Sequence, residues 1–192
     1  MISARQTNSN DRSLQLIKAC GLHPDDPIID VSGNSSHLVE ALLSLGYTDV
    51  TVVDDSESSR EALFEHTADW GSRVHVLGQD VIGFHAPRRY VLWHDRGRFH
   101  LLTHPEERQQ YLEALEEVLL PEGHVVISTF GPDGPQLQGS LPVRRYSAAT
   151  LLAELGSHFE LTEHSLDVLG SVSGERQHYL HCHFCRHAPR LA

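Results

Sequence analysis

The sequence predicts an α/β fold, a mainly parallel sheet covered by helices, and three observations carry that prediction. Ile28-Ile29-Asp30-Val31 is an apolar run too short for a helix, and it stops at the turn cluster Ser32-Gly33-Asn34-Ser35. From His37 to Leu45 the apolar residues Leu38, Val39, Leu42, Leu43 and Leu45 recur at spacings of three and four, with Gly46 as the stop. Val50-Thr51-Val52-Val53 then gives a second short apolar run, ending on Asp54. Strand, glycine-bearing turn, helix and strand in that order open an α/β sheet whose ligands sit outside the carboxyl ends of its strands.

The other elements continue the alternation. Residues 1 to 10 carry Ser, Asn, Gln and Thr without periodicity and read as a flexible lead, leaving 11 to 192 as a single domain. Leu14 and Ile17 mark a short helix from Asp11 to Ala19, stopped by Gly21 and placed to cover the crevice; His23 to Pro27 is turn-rich. After Asp54, Ser56 caps a helix to Asp69, with Glu57 in its first turn and Ala62, Leu63 and His66 toward the sheet. Val74 to Leu77 is the third strand, running into Gly78-Gln79-Asp80, and Val81 to Pro87 is a short irregular link. Tyr90 to Trp93 is the fourth strand, ending at His94-Asp95-Arg96-Gly97. Thr103 and Glu106 read as a capping box with Pro105 in the first turn, followed by the stripe Tyr111, Leu112, Leu115, Val118 and Leu119 and a break at Pro121-Glu122-Gly123.

Val125 to Phe130 is continuously apolar, the pattern of a strand covered on both faces. Three prolines and three glycines between Gly131 and Pro142 make a long ordered loop, a kind that in compact domains is usually functional. Ser147 caps a helix to Leu155 with Gly156 as its stop. Phe159 to Leu169 and Gln177 to Arg186 have no helix between them, so they pair antiparallel as a hairpin at the sheet edge.

Composition narrows the function. A length of 192 residues suits one domain with a full core. No apolar run approaches the roughly 20 residues that cross a bilayer, and Met1 to Asp11 lacks the apolar core of a signal peptide, so the expected compartment is the cytoplasm and no membrane partner is expected. Twenty-six acids against 15 bases give a net charge of -11, which repels phosphate backbones and argues against nucleic acid. Three cysteines do not make a secreted disulfide framework.

The turn after the first strand holds one glycine, Gly33, where a dinucleotide site needs G-x-G-x-x-G. A helix N-terminus still suits a carboxylate, Asp54 is placed to accept both hydroxyls of a ribose, and Gln79-Asp80 offers a donor and an acceptor to an adenine edge. Ribose, adenine and a carboxylate without phosphate describe S-adenosylmethionine.

At these residues the chain resembles a small class I S-adenosylmethionine-dependent methyltransferase over roughly residues 12 to 187. More narrowly it is similar to a bacterial group with Trp93-His94-Asp95-Arg96 after the fourth strand and Phe130-Gly131-Pro132-Asp133-Gly134-Pro135 after the fifth, followed by Leu141 to Tyr146. The resemblance implies a Rossmann-like three-layer sandwich with a seven-stranded, mainly parallel sheet whose last strand is antiparallel. It places Asp30, Ser32, Gly33 and Asn34 beside the methionine part of the cofactor, Asp54 with Asp55 at the ribose, and Gln79, Asp80 and Val81 at the adenine, with Trp93 bordering the same site. Ser32-Gly33-Asn34-Ser35 keeps one glycine where the class commonly has two or three, which either weakens cofactor binding or leaves Ser32 and Asn34 to supply hydrogen bonds in place of backbone approach.

Methyl transfer from a sulfonium needs alignment and, for some acceptors, proton removal. His94 or Asp95 is expected to orient or deprotonate the acceptor, and Arg96 to clamp an anionic group or tie the loop down. Phe99, His100, Arg145 and Tyr146 are the expected acceptor wall. The expected acceptor is a small molecule, bound by a monomer or homodimer. The rivals are methylation of a protein side chain such as lysine, which an acidic surface would suit, and a non-catalytic cofactor- or partner-binding module, which the reduced glycine loop would suit. His178, His181, Cys182, His183, Cys185 and His187 invite a metal, but side chains on one strand alternate faces and cannot close a tetrahedron, so no metal is expected.

Overall fold

A computed structural model of the chain describes residues 9–32, 36–86, 88–170 and 176–188. In chain order the elements are α1 (Ser9–Ala19), β1 (Ile28–Asp30), α2 (Ser36–Ser44), β2 (Val50–Val53), α3 (Glu57–Thr67), β3 (Val74–Leu77), β4 (Tyr90–Arg96), α4 (Pro105–Val118), β5 (Leu119–Phe130), β6 (Leu137–Gln138), β7 (Leu141–Pro142), α5 (Ala148–Leu155), β8 (Phe159–Gly170) and β9 (Arg176–Arg186). Most of the expected lead, Gly33 and Asn34 lie outside the described residues.

Seven strands form one sheet in the order β3-β2-β1-β4-β5-β9-β8. β1 pairs in parallel with both β2 and β4, so the strand order reverses at the carboxyl end of β1. β9 pairs antiparallel with β5 and with β8, which makes it the one reversed strand of the sheet. The expected hairpin is present, but its second strand is inserted between β5 and β8 rather than added outside it.

Two apolar layers sandwich the sheet. Leu16 and Ile17 of α1, Leu38, Val39, Leu42 and Leu43 of α2 and Leu63 of α3 bury Ile28, Val50, Val52, Leu92 and Val126. On the other face Tyr111, Leu115 and Val118 of α4 and Leu151 and Leu155 of α5 bury Ile29, Trp93, Val125, Ile127 and Phe184. At about 25 cal/mol per Å2 of apolar surface, two such layers supply the dominant stabilisation of a domain this size.

Several boundaries differ from expectation for local reasons. β4 runs to Arg96, so His94 and Asp95 are strand residues that alternate faces, because β5 continues to pair with them through Val126 and Ile127. α4 starts one residue later than the expected box: Glu107, not Glu106, reaches back to the His104 backbone N–H at 3.4 Å. The 131–142 segment folds a small antiparallel ladder from β6 and β7, turning at Gly139 with φ of 62°. Ser147 accepts from Thr150 N at the start of α5, as expected. Among the described residues no helix is long and apolar enough to cross a membrane.

Candidate functional site

The carboxyl ends of β1, β2 and β3 open into one cleft lined by Val31, Ser32, Val53, Asp54, Asp55, Gln79, Asp80, Val81 and Arg98, with a volume of about 50 Å3. Six of the expected cofactor residues therefore meet there. Asp54 is buried to 7% exposure and turns its Oδ1 onto the Ser56 backbone N–H at 2.8 Å, which fixes the start of α3. Asp80 accepts from Ile82 N at 3.0 Å, and its Oδ1 also takes the Arg98 guanidinium at 2.6 Å. Arg98 belongs to the turn after β4, so this ion pair crosses the cleft from one wall to the other.

Asp30 is fully buried next to the cleft. Its Oδ1 accepts from Ser32 N at 3.0 Å, from Ser32 Oγ at 2.5 Å and from His94 Nδ1 at 3.0 Å, while its Oδ2 has no hydrogen-bond partner among the described residues. A carboxylate can only accept, so His94 carries its proton on Nδ1, and its Nε2 meets the Ser13 hydroxyl of α1 at 3.0 Å. Burial opposes ionisation of Asp30, but the His94 charge and hydrogen bond and the two Ser32 donors outweigh it and lower the pKa. Ser32 Oγ in turn accepts from Arg96 N at 2.8 Å, tying β4 to the turn after β1. The result is a closed relay Ser13–His94–Asp30–Ser32 across α1, β4 and β1.

Asp95 points to the other face. It accepts from Arg98 N at 2.8 Å, Phe99 N at 3.0 Å and Tyr111 Oη at 2.7 Å, and burial pushes its carboxyl up to about 6. Trp93 lies on that same face, fully buried, with its indole N–H on Tyr111 Oη at 2.8 Å. The structure thus separates the two neighbours: His94 joins the β1 turn, whereas Asp95 and Trp93 join α4 and the cleft does not include them.

The expected acceptor wall is divided as well. Phe99 and Tyr146 are core residues, their rings 5.5 Å apart, with Tyr111 a further 4.9 Å from Phe99. His100 is buried, stacked 4.5 Å from Phe130; its Nδ1 accepts from Phe130 N at 3.2 Å and its Nε2 donates to Gln138 Oε1 at 2.5 Å. Burial lowers the pKa of this imidazole. Arg145 is exposed and reaches the Gly134 carbonyl at 3.3 Å.

Sequence reasoning missed Ser13, Arg98, Tyr111 and Gln138. Tyr111 had a signal, because a phenol within an apolar stripe needs a buried partner. Ser13, Arg98 and Gln138 had none, since their roles depend on which distant segments the sheet brings alongside.

No family model matches the chain, and no curated protein matches it. Solved structures do. A 1,6-didemethyltoxoflavin-N1-methyltransferase of Burkholderia thailandensis, with 1,6-didemethyltoxoflavin and S-adenosylhomocysteine bound, superposes with a TM-score of 0.76 at 22% identity, over 96% of this chain and 80% of that one. The N-methyltransferase NodS of Bradyrhizobium japonicum, in complex with S-adenosylhomocysteine, gives a TM-score of 0.75 at 16% identity, over 94% and 89%. The glycopeptide N-methyltransferase MtfA with sinefungin gives 0.70 at 15%, over 94% of each chain. Each superposition takes in more than nine tenths of this chain, including its seven-stranded sheet: this chain has the fold of the class I S-adenosylmethionine-dependent methyltransferases.

Proposed function

We propose that this chain is a methyltransferase that uses S-adenosylmethionine to methylate a small-molecule acceptor. The observation that carries the reading is the row of acids at the ends of three adjacent parallel strands: Asp30 behind Ser32, Asp54 and Asp80, the last two lining one cleft. The donor set fits the cofactor. Asp54 suits a ribose, Asp80 and Gln79 an adenine edge, and Asp30, whose buried Oδ2 has no partner among the described residues, an ammonium group. Two of the neighbours whose structures hold S-adenosylhomocysteine or sinefungin are named for 1,6-didemethyltoxoflavin and for a glycopeptide as acceptor, which supports a small acceptor.

The cofactor would bring a methyl group on a sulfonium, with its leaving group built in, so the chain's own task is placement. His94, pinned between Asp30 and Ser13, positions the β1 turn rather than reaching the acceptor; Asp95 positions the Arg98–Phe99 turn through its backbone bonds. The cleft of about 50 Å3 is below the roughly 300 Å3 of a ligand-sized pocket, and movement of Arg98 off Asp80 would widen it. The net charge of -11 and three unpaired thiols favour a cytoplasmic protein with no nucleic-acid partner.

Isothermal titration with S-adenosylmethionine and with S-adenosylhomocysteine tests the reading. Binding of both in the micromolar range is expected, and Asp54→Ala should weaken both. Absence of binding by the intact chain overturns it.

A further inference from the structure

On the face of the sheet that carries α1, away from the cofactor cleft, three side chains from three elements converge. Cys20, just past the end of α1, places its Sγ 3.4 Å from His183 Nε2 on β9, and His124 Nδ1 on β5 lies 3.0 Å from that same nitrogen. The three atoms all fall within 4.8 Å of one another, with His183 buried and the other two half-buried. We propose that Cys20 Sγ, His124 Nδ1 and His183 Nε2 form a tetrahedral zinc site, its fourth position taken by water.

The separations match the edges of a metal tetrahedron. With bonds of about 2.0–2.1 Å to nitrogen and about 2.3 Å to sulfur, the edges of a tetrahedron are about 3.4 Å between nitrogens and about 3.6 Å between nitrogen and sulfur. The two observed separations fall within a few tenths of an ångström of those edges. Two imidazole nitrogens face each other and a thiol approaches one of them, while that thiol already has the Leu16 carbonyl at 3.2 Å. Without metal these atoms pair by hydrogen bonds, one imidazole N–H bridging the two ring nitrogens and the thiol donating to the Leu16 carbonyl; loss of those two protons leaves three lone pairs converging on one divalent ion. A set of one thiolate and two imidazoles is one that zinc takes readily.

Sheet register explains why one strand was insufficient and the fold is not. His124 and Val126 of β5 pair with Cys185 and His183 of β9, so His124 and His183 rise on the same face one pair apart. α1 packs on that face through Leu16 and Ile17 and delivers Cys20 there. Glu163 is the register partner of His183 on β8 and is held by Arg12 at 2.7 Å, an anionic group beside the ligand set. The proposed role is structural: the ion fastens the end of α1 to β5 and β9, and the same helix supplies Ser13 to His94.

The test is a titration of the metal-stripped full chain with zinc against a chromogenic chelator, and with cobalt as a spectroscopic substitute. Expected are one zinc per chain, a thiolate-to-cobalt charge-transfer band, and a higher melting temperature with zinc than without. Cys20→Ser should remove the band and weaken zinc at least tenfold, and His124→Ala should weaken it similarly. Cys182→Ser should change neither, because Cys182 belongs to the apolar layer on the opposite face of the sheet. Both Cys20 and His124 are half-buried, and circular dichroism of each metal-free variant checks that it folds. The proposal is overturned if the wild-type chain shows no charge-transfer band, or if zinc stays bound at full affinity in Cys20→Ser.

Discussion

Replacing Asp95 by alanine separates an anchoring role from a chemical one. The buried carboxylate holds two backbone N–H groups and the Tyr111 phenol, and its pKa stands at about 6 against an ordinary 3.8. That difference means the ionised form costs the folded state about 3 kcal/mol at pH 7. Truncation recovers that amount but strands three buried donors at about 1–3 kcal/mol each. The expected net loss is about 3 kcal/mol, read by urea denaturation with the fluorescence of buried Trp93. The sign with pH follows from the raised value. Wild type binds a proton more tightly folded than unfolded, so this contribution makes it more stable as pH falls toward 4, and the gap to the variant should widen by about 1 kcal/mol between pH 7 and pH 5. An Asp95→Ala chain with wild-type stability and cofactor affinity but no turnover would refute the anchor and put the carboxylate on the acceptor.

Further expectations concern other groups. His181 is fully buried with its pKa lowered to about 4 by burial, against 6.5 when exposed, so the unfolded chain takes up the proton first and this residue alone removes about 2 kcal/mol of stability by pH 5; His181→Gln should flatten the denaturation profile between pH 5 and 7. Arg98→Ala opens the mouth of the cleft, and should speed cofactor association in stopped flow while shifting stability by under about 1 kcal/mol, as a partly exposed ion pair predicts. Asp54→Ala should lower cofactor affinity at least tenfold by calorimetry without loss of fold. Ser13→Ala removes the hydroxyl at His94 Nε2 and should cost about 1–2 kcal/mol of stability.

Most of the fold was legible because local signals agreed with the global one. β2 and β3 match their apolar runs residue for residue, and α5 has the cap and stop read from Ser147 and Gly156. The misreadings share a physical cause. β4 extends through polar His94-Asp95-Arg96 because β5 supplies ladder partners, and no propensity of those residues shows it. The cleft residues Asp54, Gln79 and Asp80 were legible as strand ends followed by polar turns. The division between His94 and Asp95 was not: it turns on strand alternation, which the shorter strand concealed, and on Tyr111 and Ser13 arriving from distant helices. The clustering of Cys20, His124 and His183 was equally hidden, since it needs the β5–β9 register.

The insertion of β9 between β5 and β8 also sets the order in which the chain can be completed during synthesis. Until residues 176–186 leave the ribosome, β5 has an open edge along Val125 to Phe130, a buried strand that is apolar but for Ser128 and Thr129, with unpaired backbone groups. The nascent chain therefore carries an adhesive edge while residues 131–175 are added, and the pairing of β5 with β9 closes contacts far apart in sequence, which slows folding. Pairing of β9 with both β5 and β8 is the step that removes this edge and leaves β8 as the outer strand.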